Sequence, residues 1–149
     1  MKGDLIVRKH APVLVCVTGQ HDCDRLIRVG KTIAEERHSP LHVVSIVPSD
    51  TKDCCAELEY LRQTAQNAGA EMTIFFHDEP AYVTAAFLKQ IGAQQLVTGM
   101  AEAPINGFIE VIHQLMPRVP IAMVDKDETV YHICPSAQTA IPQQPAWSR

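Results

Sequence analysis

The sequence predicts an α/β fold: a single three-layer, Rossmann-like domain with a five-stranded parallel sheet and helices on both faces. Three observations predict it. Short apolar runs alternate with longer segments of helical period, the order that βαβ crossovers produce. Residues 12–17 (Pro-Val-Leu-Val-Cys-Val) and 41–47 (Leu-His-Val-Val-Ser-Ile-Val) are apolar almost throughout rather than at every second position, as strands covered on both sides require. Glycine or proline closes most elements, at Pro40, Pro48, Gly69 and Gly92.

Taken in order, residues 1–11 read as a flexible arm, polar apart from Leu5-Ile6-Val7. Strand one, 12–17, runs into the turn Thr18-Gly19-Gln20-His21-Asp22. Asp22 or Asp24 then caps a helix whose apolar positions Leu26, Ile27, Val29, Ile33 and Ala34 recur at helical spacing. That helix ends at His38-Ser39-Pro40, because a residue before proline is pushed out of the α region. Strand two, 41–47, stops at Pro48. A helix over about 52–68 sets Leu58, Leu61 and Ala65 on one face and stops at Gly69. Strand three is 71–76. Asp78 and Glu79 supply acidic caps, and Pro80 an early proline, for a helix over 81–91 that Gly92 ends. Strand four covers 95–98, the last helix 106–116 and strand five 120–124. Val130-Tyr131-His132-Ile133 offers one short additional edge strand, so the domain spans 12–133. Residues 134–149, with Pro135, Pro142 and Pro145 among Gln, Ser and Ala, read as an extended or disordered tail.

With 149 residues, 46% of them apolar, the chain can bury the core of one domain without metal or disulfide support. A net charge of −4 with no Lys/Arg cluster argues against a nucleic-acid partner, because nothing would neutralise a run of phosphates. No apolar run reaches membrane-spanning length and Met1-Lys2-Gly3-Asp4 lacks the apolar core of a secretion signal. Five cysteines, an odd number, suit free thiols in a reducing compartment. The expected location is the cytoplasm.

Residues 94–124 concentrate the functional question. A strand, the turn at Gly99, a loop, a helix opened by Gly107 and a second strand would set a helix N-terminus at the carboxyl edge of a parallel sheet. There N–H groups and the helix dipole can meet a phosphate. Gly99 and Gly107 are therefore either phosphate-approach residues or simply a tight turn and a helix start.

This pattern resembles the universal stress protein family. The resemblance covers about residues 12–125 and rests on five elements: the Val-Thr-Gly turn after strand one, Val44-Ser45-Ile46-Val47-Pro48, His77-Asp78-Glu79-Pro80-Ala81, Val97-Thr98-Gly99, and the spacing from Gly107 to Val119-Pro120-Ile121. The low charge of the first turn is similar to that of the stress-protein-like domain of the potassium sensor kinase KdpD. The resemblance implies strand order 3-2-1-4-5, with a ligand crevice at the switch point between strands one and four. It would be lined by Thr18, Gly19, Gln20, Ile46, Thr98, Gly99, Met100, Gly107 and Phe108. The resemblance also implies a homodimer through strand 120–124, its edge formed by Val119, Ile121 and Met123. The alternative is that 130–133 covers this edge within one chain.

The chain departs from the ATP-binding members, which share G-x2-G-x9-G-[ST] after strand four. Glu102 stands at the second glycine, the loop to Gly107 is too short, and Phe108 replaces the hydroxyl residue. Thr18 replaces the acidic residue suited to a ribose. The expectation is a degenerate crevice with weak or absent ATP binding and no required cofactor, ATP and a cyclic dinucleotide being the ligands to consider. The serine-rich motif with which some KdpD-type domains bind the latter is not matched at 18–24.

Other chemistry finds little support. His21, Asp22, Cys23 and Asp24, with His77, Asp78 and Glu79, share the carboxyl edge but show no metal-ligand spacing, and such residues also cap helices. Adjacent Cys54 and Cys55 near a helix start admit a redox role or ordinary packing. Ser45 and Ser49 lack a G-x-S-x-G elbow, and His113 reads as a helix histidine beside Ile112. No catalytic residue and no metal ligand is assigned. The expected function is a non-catalytic signalling or stress-response module that binds a small ligand or a partner. The alternatives are an ATP binder with a rearranged loop and a thiol- or metal-dependent enzyme.

Overall fold

Val13–Val17 forms β1, and all five of its residues are buried, which fixes it inside a sheet covered on both faces. The computed structural model describes residues 11–17, 23–100 and 107–135. After β1 come α1 (Asp24–Arg37), β2 (Leu41–Val47), α2 (Cys55–Asn67), β3 (Glu71–Phe76), α3 (Pro80–Ile91), β4 (Gln95–Gly99), α4 (Gly107–Leu115), β5 (Ile121–Val124) and β6 (Val130–Ile133). The sheet order is β3-β2-β1-β4-β5-β6. The first five strands run parallel in the expected order, and β6 is antiparallel to β5, with Val124 opposite Val130 and Ile121 opposite Ile133. The arm expected at 1–11 and the tail at 134–149 lie outside the described residues, except for Ala11, Cys134 and Pro135.

Two expectations need correction. The sheet is mixed and six-stranded rather than parallel and five-stranded. In consequence β5 is not an edge: β4 fills one side of it and β6 the other. Val119 and Ile121, expected at a dimer edge, are buried in this chain's own core, and Met123 packs against it. The reason is the tight reversal over 125–129. The N–H of Asp125 donates to the Thr129 carbonyl (2.8 Å), and that of Glu128 to the Asp125 carbonyl (2.9 Å), with Glu128 in the left-handed region at φ 68°. The segment 130–133 therefore folds straight back onto β5.

The pleat divides the interior into two cores. Val13, Val15, Val17, Val43 and Val97 face α1 and α2, meeting Leu26, Ile27, Ala34, Leu61 and Ala65. Leu14, Cys16, Val44, Leu96 and Ile121 face α3 and α4, meeting Phe87, Leu88, Ile109 and Ile112. Helices that precede and follow the crossing between β1 and β4 thus lie on opposite faces. Gly30 lets α1 lie close on β1, since a Cβ there would come within 2.3 Å of Val15 Cγ2.

Helix ends follow the sequence more closely than helix starts. Gly92 adopts φ 65° and its N–H returns to the Lys89 carbonyl (3.2 Å), as expected of a C-terminal glycine. His38 is itself left-handed (φ 53°), and the N–H of Ser39 closes on the Ala34 carbonyl at 2.8 Å. The turn has therefore ended α1 before Pro40 can act. The acidic residues expected as caps make no side-chain cap bond among the described residues. α1 starts after Cys23, with Asp22 outside the described residues, and Glu79 stands at the cap position of α3 without bonding through its carboxylate.

At the amino edge His42 on β2 lies against Phe87 edge-on (5.2 Å between ring centroids), with Nε2 3.0 Å from Thr73 Oγ1 and Nδ1 3.9 Å from Glu71. Burial holds its imidazole below the usual histidine range, Glu71 opposing in part. Folding therefore favours the neutral ring. The stability this gives is complete above about pH 6.5 and is lost as pH falls from there through the folded value. Equilibrium unfolding between pH 7.5 and 5 should show this loss and His42→Gln should flatten it, because the depressed carboxylates Asp78 and Asp127 titrate only at lower pH. Gly30→Ala is expected to cost roughly 1–3 kcal/mol in denaturant unfolding, overpacking against Val15 outweighing the better helix propensity.

Candidate functional site

Parallel strands end together at one edge of the sheet, and the crevice forms where two of them separate. β1 pairs with β2 along its whole length, to Val17 opposite Ser45. Its ladder with β4 stops at Val15 opposite Val97, although β1 continues to Val17 and β4 to Gly99. Flanked by helices on opposite faces, β1 and β4 part at their carboxyl ends, at the expected switch point.

Six of the nine residues expected to line this crevice are described; Thr18, Gly19 and Gln20 lie outside the described residues, as do Asp22 and Glu102. Thr98 is buried on β4 opposite Met123, on the α3/α4 side. Met100 continues β4 by donating its N–H to the Val124 carbonyl (3.0 Å). Gly99 faces the other side, and a Cβ there would lie 3.6 Å from Arg25 Nη2 and from Leu26 Cδ1. Gly107 opens α4, exposed, and among the described residues no atom lies within 4 Å of a Cβ built on it. Phe108 and Ile46 are partly buried against the α3/α4 core. The set therefore divides: Thr98, Ile46 and Phe108 belong to one face, Gly99 to the other.

Sequence reasoning missed Arg25. It is the second residue of α1, and its Nε donates to the Asp125 carbonyl at 3.0 Å, holding the guanidinium across the end of β4. Arg28, one turn on, meets Glu128 at 2.6 Å and Asp24 at 3.5 Å, so the 125–129 reversal is tied to α1 at two points. Asp24 also accepts from the Tyr60 hydroxyl (2.8 Å), which raises the Tyr60 pKa. The available signal was that Arg25 is the first cation after strand one, in the opening turn of a helix that such a fold points at the crevice.

Beneath the crevice, Cys16 Sγ lies 3.8 Å from Thr84 Oγ1, both buried. Burial pushes this thiol up to about 12, so it stays protonated and is no nucleophile. All five cysteines are free; Cys54 precedes α2 and Cys55, its first residue, is exposed. Among the described residues no three His, Cys, Asp or Glu side chains come together to hold a metal. Asp78 is occupied otherwise: it accepts the N–H (2.8 Å) and the hydroxyl (2.7 Å) of Ser49, which lowers its pKa and joins the loops after β2 and β3. The Nδ1 of His77 accepts the Glu79 N–H (3.0 Å). Ser45 Oγ and His113 Nδ1 are buried without a hydrogen-bond partner among the described residues.

A three-layer α/β protein with a switch-point crevice is the class these features define. No protein-family model matches the chain, and no curated protein matches it in sequence. Solved structures do match in fold. A universal stress protein from Archaeoglobus fulgidus superposes with TM-score 0.57 at 23% identity, over 69% of this chain and 85% of that one. The universal stress protein from Archaeoglobus fulgidus in complex with dAMP gives 0.56 at 20%, covering 77% and 98%. A universal stress protein in complex with cAMP gives 0.62 at 15%, covering 79% and 98%. The fold is that of the universal stress proteins. Among the described residues no helix is long and apolar enough to cross a membrane.

Removing the Asp78 carboxylate is expected to release the loop after β2. In Asp78→Ala, amide hydrogen exchange at Ser49 should accelerate markedly while exchange in β1 stays unchanged.

Proposed function

We propose that the chain is a non-catalytic, cytoplasmic signalling or stress-response module whose crevice takes a small adenine nucleotide with one phosphate in preference to ATP. The observation that carries this reading is the early end of the β1–β4 ladder at Val15 and Val97, which leaves the last two residues of each strand apart at the switch point. Arg25 stands beside Gly99 there, and a guanidinium suits the oxygens of a single phosphate group. Phe108 provides no hydroxyl for a longer phosphate chain, and Glu102 puts a negative charge in the loop where the ATP-binding pattern has glycine. Structures of similar fold in complex with dAMP and cAMP support a monophosphate ligand. The kinship with the sensor-kinase domain belongs to the same proposal and rests on the low charge of the turn after strand one. The buried, protonated Cys16 and the occupied Asp78 and His77 support a binding rather than a catalytic role.

Titration calorimetry with AMP, cAMP, ATP and a cyclic dinucleotide tests the reading. AMP or cAMP should bind about tenfold or more tightly than ATP, and Arg25→Ala should weaken that binding about tenfold, the order of one charge-assisted contact. Micromolar ATP affinity that disappears in Gly99→Val would establish the ATP-binding alternative instead.

A further inference from the structure

The edge of the sheet remote from the crevice is β3, six residues long and, among the described residues, paired only with β2. Natural edge strands are usually blunted by lysine, proline or a bulge. β3 has neither lysine nor proline: it reads Glu-Met-Thr-Ile-Phe-Phe, and Phe76 at its end is 54% exposed. The other edge, β6, is four residues long and is followed two positions on by Pro135.

The direction of the unpaired groups on β3 can be derived. The N–H of His77 donates to the Val47 carbonyl (2.8 Å), toward β2. N–H and C=O groups alternate sides along a strand, so Met72, Ile74 and Phe76 present theirs outward. A two-fold axis at Ile74 would set Ile74 opposite Ile74 and Met72 opposite Phe76 of a second chain. All three outward residues then form hydrogen-bonded pairs. The same register sets Glu71, whose side chain is 88% exposed, opposite His77 of the second chain at a closely spaced site. The His77 Nδ1 is already occupied by the Glu79 N–H, which leaves Nε2 for that carboxylate. Moving the axis to Phe75 would set Glu71 against Glu79 and lose this complementarity.

We propose that β3 is a homodimerisation edge, joined antiparallel to β3 of a second copy about a two-fold axis at Ile74. The sheet then runs continuously through both chains, and the two crevices stay open. This inference is independent of the nucleotide reading.

Sedimentation velocity over a concentration series tests it. The native chain should show a reversible monomer–dimer equilibrium. Ile74→Pro removes only an outward N–H, which edge strands tolerate, and should abolish the dimer while far-UV circular dichroism stays native. Glu71→Lys should weaken the dimer roughly fivefold, and Glu71→Lys combined with His77→Glu should restore it. If Ile74→Pro does not fold, the charge exchange decides alone. A chain that is monomeric up to its solubility limit overturns the proposal. So does a dimer indifferent to these changes, or a monomer that takes up an extended peptide at β3 instead.

Discussion

The structure depends on the double burial of β1. A strand of five buried residues must be covered on both sides, and here the two sides are covered by different stretches of the chain: α1 and α2 on one, α3 and α4 on the other. That division makes β1 and β4 the neighbours whose following helices leave in opposite directions. The space left between their carboxyl ends is a result of topology, before any side chain is considered. Cys16 and Thr98, both buried, lie beneath it on the α3/α4 side, and a Cβ at Gly99 on the other side would lie beside Arg25.

Among the described residues, the cations beside the crevice come from α1. Arg25 and Arg28 lie one turn apart; the first holds the Asp125 carbonyl, the second Glu128 and Asp24. One short piece of helix thereby anchors the 125–129 reversal and presents a guanidinium at the end of β4. Exposed pairs such as Arg28–Glu128 add little to stability singly, so their consequence is mainly positional. The reversal they hold places β6, and β6 gives the right-hand side of the sheet to this chain's own backbone.

Much of this was legible in the sequence, for identifiable reasons. Leu41–Val47 and Glu71–Phe76 form as strands at the expected positions, because apolar runs bounded by proline and glycine leave little freedom of register. Gly92 ends its helix in the expected left-handed geometry. The helix starts were less legible. Asp78 has the composition of a cap, yet its carboxylate bonds Ser49, a partner 29 positions away that no local rule detects. Val130–Ile133 could be recognised as a strand but not assigned a neighbour, since four residues with one polar member fit an open edge and a covered one equally. Arg25 escaped notice because a cation in the first turn of a helix runs against dipole preference, and its purpose is visible only once β4 and β5 end beside it.

The pairing of β1 with β4 has a kinetic consequence. Every other strand pair joins segments close in the chain, whereas Val13 meets Gln95, 82 residues further along. Closing so long a loop is entropically slow, so this ladder is expected to be the last part of the sheet to assemble. The cleft beside it exists only when both halves of the polypeptide have docked. A molecule held there would therefore report on completed folding, and by mass action would favour it.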